Sequence, residues 1–365
     1  MDLSSENAAY KSYIEQGKQA YEDGDLPRAR NLLLKAADIT NRIMIKSNNP
    51  DVKGEYYGIT KTLLDFVRNK CRAQEQKQTV SPAPEVKEEV EIKPTLTLEQ
   101  AMERLDTMIG LDQVKDTIKA WVDQIKVFKK RKANNLKTPE MSYHMVFTGN
   151  PGTGKTTVAR IIGEIYKALG ILSKGHLVEA DRSKLVAGYI GQTGPQTAKI
   201  IEKSLGGVLF IDEAYTLAQG GENDFGNEAI ATLLKYMEDK RSEFAVIVAG
   251  YEEPMSDFIN SNPGLASRFK TYIKFDDYNG EQLYNIFAKF CQDSDYVITD
   301  DLKELLKRRF CLMYENRDKN FGNGRDVRNI FEKMVTKQAR RISDDVDKVS
   351  VSEMMTFTAE DAIDI

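Results

Sequence analysis

The sequence predicts an α/β fold: a parallel sheet with helices on both faces, a separate three-helix bundle before it and a helical region after it. Three observations lead there. Five short apolar runs, Tyr143–Thr148, His176–Ala180, Val208–Ile211, Phe244–Ala249 and Thr271–Phe275, alternate with stretches of helical period. A glycine-rich turn, Gly149–Thr156, follows the first run and opens a helix. Between Gln74 and about Thr95 the composition breaks, setting this half apart from what precedes it.

Residues 8 to 72 read as three antiparallel helices. Apolar and alanine positions recur three and four apart in Tyr13, Ile14, Ala20, then Ala29, Leu32, Leu33, Ala36, Ile39, then Ile59, Leu63, Leu64, Val67. Gly24-Asp25-Leu26-Pro27 separates the first two helices, with Pro27 suited to a first turn. Asn48-Asn49-Pro50-Asp51 separates the second from the third. This gives a helical domain over 1–73. Over 74–97, Gln, Glu, Lys, Val and Pro dominate and aromatics vanish, so a flexible linker is expected, partly extended at Ser81-Pro82-Ala83-Pro84. The sheet-bearing domain is expected over 98–278, with a helix from about Leu111 to Lys132 ahead of its first strand. From Gly280 to Ser343 the pattern is helical and the last twenty residues are ambiguous, which makes 279–365 a C-terminal helical domain.

The chain has 365 residues, 41% hydrophobic and 30% charged, values of a globular protein with a sizeable core. A net charge of −4 and the lack of a basic stripe with interleaved aromatics argue against nucleic acid as a partner. Cys71, Cys291 and Cys311 are too few and too dispersed for a disulfide framework or a zinc site. The polar, acidic N-terminus carries no secretory signal pattern and no apolar run spans a membrane, so a cytoplasmic protein is expected.

Gly149-Asn150-Pro151-Gly152-Thr153-Gly154-Lys155-Thr156 satisfies G-x-x-x-x-G-K-[ST], with a strand before and a helix after. Such glycines turn backbone N–H groups inward around phosphates at the positive end of the next helix. Lys155 would reach the β- and γ-phosphates and the Thr156 hydroxyl would coordinate Mg²⁺. Thr157 follows on the same turn. In Gly207-Val208-Leu209-Phe210-Ile211-Asp212-Glu213 four apolar residues make a buried strand with two acids at its C-terminal end, where open α/β sheets bind ligands. Asp212 would hold Mg²⁺ through water, and Glu213 would orient and deprotonate the attacking water. Nucleoside triphosphate binding follows from the two motifs together, and Glu213 argues for hydrolysis.

From about Leu105 to the C-terminus the chain resembles the AAA+ ATPases, in the subfamily that includes the CbbX-type rubisco activases and stage V sporulation protein K. The residues that carry the likeness are Met108-Ile109-Gly110-Leu111, the P-loop, Gly188-Tyr189-Ile190-Gly191-Gln192-Thr193, Gly207–Tyr215, Asp224–Ala229, Val248-Ala249-Gly250-Tyr251 and Asn262–Phe269. The resemblance implies an AAA+ P-loop NTPase fold with a C-terminal helical lid, ATP and Mg²⁺ as ligands, and a homo-oligomeric ring, expected to be hexameric. It implies that Ile109 and Gly110 lie against the adenine, and that Asn150, Pro151, Gly152, Thr153 and Gly154 surround the phosphates. Arg268 matches the arginine finger that completes a neighbouring subunit's site. Arg325 matches the sensor-2 arginine of the lid, with Arg328 one turn on as the rival. Tyr189, Ile190 and Gly191 match the pore loop that grips a threaded polypeptide, although a packed tyrosine in an ordinary loop would read the same way. Where most AAA+ chains carry Asn or Thr after the fourth strand, this one reads Ala249-Gly250-Tyr251; the subfamily commonly does so, and no sensor-1 residue is assigned.

Two patterns are decoys. Asp224-Phe225-Gly226 is spelled like a kinase triplet but lacks the accompanying catalytic loop. His144 and His176 have no metal-ligand spacing and are expected to be structural. The N-terminal bundle resembles MIT domains, while a tetratricopeptide hairpin or a generic helical hairpin module fits its pattern too. On a tether, residues 1–72 read as a device that recruits a protein client. The expected function is ATP-driven remodelling or partial threading of that client by a ring. The alternative is an ATP-dependent assembly scaffold or switch that does little mechanical work.

Overall fold

The computed structural model describes residues 4–23, 25–46, 49–66, 96–187, 191–219 and 225–363. They belong to two compact units, 1–93 and 94–365.

The first unit is the expected bundle: α1 (Ser4–Glu22), α2 (Leu26–Lys46) and α3 (Pro50–Phe66). Tyr10 meets Tyr56 and Tyr21 meets Phe66, with ring centroids 5.8 and 5.1 Å apart, so α1 and α3 run the same way. On α2, Ala29, Leu33, Ala36 and Ile43 are buried, and the small residues let its neighbours approach closely. The buried Thr40 hydroxyl sits 2.8 Å from that of Thr60, which satisfies it inside the bundle.

Up to residue 95 the expected linker lies outside the described residues. At its far end Thr97 is already structural, because it N-caps α4 (Leu98–Asp106) in a reciprocal capping box with Gln100. Helix α5 (Asp112–Ala133) follows. The sheet comprises β1 (Met145–Thr148), β2 (Leu177–Ala180), β3 (Val208–Ile211), β4 (Ala245–Gly250) and β5 (Thr271–Lys274). Its order is β2-β3-β4-β1-β5 and every pairing is parallel.

Along each central strand the side chains alternate between two cores, as a pleat of period two requires. Val208, Phe210, Ala245, Ile247, Met145 and Phe147 face α4, α5 and α6 (Lys155–Ala168). Leu209, Ile211, Val246, Val248 and Val146 face α8 (Thr193–Ser204), α9 (Gly226–Asp239) and α10 (Glu252–Asn260). Between β2 and α8 lies the single turn α7 (Arg182–Leu185), and α11 (Pro263–Arg268) precedes β5. Burial on both faces explains why these strands read as unbroken apolar runs.

β1, β2 and β4 start one or two residues later than the apolar runs suggest. His144 lies just before β1, where its buried Nδ1 accepts the Val246 N–H at 3.0 Å. Burial first, then the nearby Arg268 charge, pulls its pKa down to about 4, so the ring is a neutral acceptor, as a structural role requires. His176 similarly stands before β2, with Nε2 2.8 Å from the Lys203 carbonyl.

After β5 come α12 (Gly280–Asp293), α13 (Asp300–Glu315), α14 (Gly324–Ile342) and α15 (Val351–Met355). This region is not purely helical: β6 (Val297–Ile298) pairs in parallel with β7 (Thr356–Phe357). Two residues are too few to show a period, so the ladder left no trace in the sequence. Phe357 is fully buried there, stacked on Tyr296 at 4.2 Å. Its core continues into that under the sheet through Leu283, Phe287 and Phe275. Among the described residues no helix is long and apolar enough to cross a membrane.

Ile247 is fully buried in the central strand. Ile247→Ala is expected to destabilise the second unit by about 2–5 kcal/mol, read as a lower urea midpoint at unchanged slope.

Candidate active site

Strand β1 lies between β4 and β5, so its C-terminal end opens onto the crevice where the chain order switches sides. A cleft of about 490 Å³ occupies that crevice. Gly149, Pro151, Gly152 and Gly154 to Thr157 form its floor, Asp212 and Glu213 one wall, and Met108, Ile109 and residues of α12 and α14 the other.

Within the P-loop, Gly152 and Gly154 have φ of +72° and +94°, a region open to glycine. A Cβ on Gly152 would collide with the Gly322 carbonyl. Each carbonyl from Gly149 to Thr153 finds a donor within the protein. Lys155 Nζ donates to Gly149 O at 2.7 Å and Asn150 O at 2.8 Å. The Asn323 amide reaches Pro151 O at 3.3 Å, and the Gly324 N–H reaches Gly152 O at 3.1 Å. The Tyr278 hydroxyl donates to Thr153 O at 3.1 Å. With the carbonyls held back, the N–H groups of Gly152, Thr153 and Gly154 have no protein acceptor among the described residues. They form an anion cradle at the start of α6.

Burial pulls the Lys155 ammonium down to about 8; Asp212 opposes that shift and Arg325 reinforces it. An anion placed beside it would oppose that shift. Asp212 is half-buried, and one of its oxygens accepts the Glu213 N–H at 3.1 Å. Glu213 is exposed to the cleft, held at φ +48°, an unusual position for a non-glycine residue. The Thr156 hydroxyl and the Asp212 carboxylate line the same cleft. That sparse set suits Mg²⁺, which keeps waters and substrate phosphates as its other ligands. No group of three or more His, Cys, Asp or Glu side chains among the described residues is arranged to hold a metal on its own.

The structure brings most of the expected residues together. Ile109, Pro151, Gly152, Gly154, Lys155, Thr156, Thr157, Asp212, Glu213 and both candidate lid arginines line the cleft. Arg325 lies close enough to act on the Lys155 charge, whereas the Arg328 guanidinium stacks over the Phe290 ring at 5.0 Å. Gly110, Asn150 and Thr153 stand behind the surface instead. Gly110 holds φ +61° with the Gln282 side chain packed against it. The Asn150 amide turns to Asp277, and the fully buried Thr153 hydroxyl bonds back to Asn150 O. Arg268 is also outside the cleft of its own chain: its guanidinium meets Glu238 at 2.9 Å, and its Nε is buried without a partner. Tyr189 and Ile190 lie outside the described residues; Gly191 has φ +76° and open space around it.

Tyr278, Asp277, Asn323 and Tyr251 are neighbours that sequence reasoning missed as site residues. Asp276-Asp277 at the end of β5 repeats the signal of acids at a strand end that singled out Asp212-Glu213. Asn323 sits inside a Gly-Asn-Gly turn, and nothing in its spacing tells where the amide points.

Comparison with known proteins gives a consistent answer. Residues 145–277 match the profile of the ATPase family associated with various cellular activities (AAA), and 279–364 match an AAA lid domain. Stage V sporulation protein K of Bacillus subtilis (strain 168) is 44% identical over 265 residues, 72% of this chain and 82% of that protein. Protein CbbX of Cereibacter sphaeroides is 40% identical over 245 residues, 67% of this chain and 79% of that one. A chloroplastic ribulose bisphosphate carboxylase/oxygenase activase of Cyanidioschyzon merolae is 39% identical over 272 residues, 73% and 91% of the two chains.

A phosphate anion beside Lys155 raises its pKa above the free value of about 8. The bound state then holds more protons above pH 8, so nucleotide affinity is expected to fall as pH rises through that value. Calorimetric titration with ATP at pH 8.5, in two buffers of different ionisation heat, should show net proton uptake that vanishes at pH 7.

Proposed function

This chain belongs to the AAA ATPase family, in the branch of stage V sporulation protein K and the CbbX-type proteins, and on that premise we propose that it remodels or partly threads a protein client as a ring of identical subunits. It binds and hydrolyses ATP. In this reading the P-loop amides and Lys155 hold the phosphates, and Thr156 with Asp212 holds Mg²⁺. Bound there, the metal would neutralise charge on the β- and γ-phosphates. Glu213 takes the proton of the attacking water, and Arg325 stabilises charge from the lid side.

The observation that carries the ring is the position of Arg268. Its guanidinium ends α11 away from its own cleft and is held by Glu238. A γ-phosphate of the next subunit would offer that cation a stronger partner than an exposed carboxylate. Each site is then completed in trans, and hydrolysis depends on assembly. Tyr189 and its glycine neighbours supply the grip on the client, with the bundle of residues 1–72 selecting it. Its place of action, on this reading, is the cytoplasm.

The test is ATP turnover across a protein concentration series. Turnover per subunit should rise with concentration and fall at least roughly a hundredfold in both Glu213→Gln and Arg268→Ala. Turnover independent of concentration and of Arg268 would overturn completion in trans and bring the switch reading forward. Tyr189→Ala should keep ATPase while losing client remodelling.

A further inference from the structure

One carboxylate of the second unit gathers donors from two separate elements. Asp277 follows β5, at the junction between the α/β part and the lid, and its side chain is only 17% exposed. From the P-loop, Asn150 Nδ2 lies 3.0 Å from Oδ1 and 3.1 Å from Oδ2. From the lid, Asn323 Nδ2 donates to Oδ1 at 2.8 Å, and Arg317 Nε approaches Oδ2 at 3.4 Å. Asn323 is fully buried and holds φ +50° between two glycines, a conformation that costs an asparagine energy. Its side chain over-determines that conformation: besides Asp277 it reaches Pro151 O and Phe321 O, and its Oδ1 accepts the Tyr278 N–H at 2.9 Å.

We propose that Asp277 is a positioning residue that transmits the state of the P-loop to the lid, through Asn150 on one side and Asn323 and Arg317 on the other. The proposal rests on the cleft being the ATP site. In the free chain Lys155 is bonded to the Gly149 and Asn150 carbonyls. A phosphate that takes the ammonium frees the Gly149 carbonyl and leaves the Asn150 carbonyl to the Thr153 hydroxyl alone, so the loop readjusts at Asn150. The Asn150 amide is tied to Asp277, so the readjustment reaches the two lid donors that share that carboxylate. The same post works in reverse, because coupling between two sites is reciprocal. Arg325 is the second residue of α14 and lies two residues beyond Asn323, so the register of that turn also sets the position of a cation lining the cleft.

An amide at 277 would keep the size but face Asn150, Asn323 and Arg317 with a donor of its own. The experiment is hydrogen exchange on the full chain, with and without Mg²⁺ and ATPγS, comparing wild type, Asp277→Asn and Asn150→Ala. In wild type, the nucleotide should protect both 149–157 and 317–328. In both variants, protection of 149–157 should persist while that of 317–328 is lost, and kcat should fall roughly tenfold with KM changed far less. Asn150→Ala leaves the lid contacts of Asp277 intact, so it carries the test if Asp277→Asn folds poorly. The double variant should be no worse in kcat than Asp277→Asn alone, since both cut one link. Undiminished protection of 317–328 in the variants, or additive losses in kcat, would overturn the proposal. Absence of protection at 149–157 in wild type would instead overturn the ATP site, and the proposal with it.

Discussion

A phosphate-binding loop works only if its carbonyls point away from the phosphate. Bare backbone has no such preference, and a buried carbonyl left without a donor costs about 1–3 kcal/mol. The arrangement of this molecule answers that constraint. The carbonyls of Gly149 through Thr153 are taken by Lys155, by Asn323 and Gly324 of the lid, and by the Tyr278 hydroxyl beyond β5. Three elements far apart in sequence thereby converge on five consecutive residues. The lid is part of what keeps the loop in its binding shape, and its core runs without a break into the core beneath the sheet.

This constraint also explains why the site holds its charges as it does. The cation in the loop is half bonded to its own backbone and carries a depressed pKa, because burial has stripped its water and the nearby carboxylates only partly compensate. The acids stand at the end of β3, a strand whose four residues are all buried and therefore rigid. An exposed Glu213 on a strained backbone beside a fixed Asp212 is a geometry that a folded core imposes on a site. Arg268 has the opposite setting, bonded to a surface carboxylate on the α9 side and absent from its own cleft. The chain thus holds Arg268 apart from the cations that line the cleft, which is where our reading of a shared site begins.

Much of this was legible in the sequence. The five apolar runs marked the five strands to within two residues at each end, because strands buried on both faces must be apolar throughout. The P-loop spelling fixed the loop, the lysine and the hydroxyl, and the acid pair at a strand end located the opposite wall. Departures arose where a residue's neighbours in space differ from its neighbours in the chain. Gly110, Asn150 and Thr153 belong to the motifs by spelling yet support the cleft from behind. The β6–β7 ladder joins segments almost sixty residues apart through two residues each, too short for any pattern to register.

The sequence by itself determined the fold class, the phosphate loop and the acid pair, since each rests on local spacing that any such backbone must obey. Tertiary structure alone decided that Asp277, Asn323 and Tyr278 are the supports of the loop, that Arg325 faces Lys155 while Arg328 stacks on Phe290, and that Arg268 lies outside its own cleft. Hydrogen-bond partners of a side chain are set by which surfaces meet when the chain closes, and spacing along a single strand of sequence carries no information about that meeting.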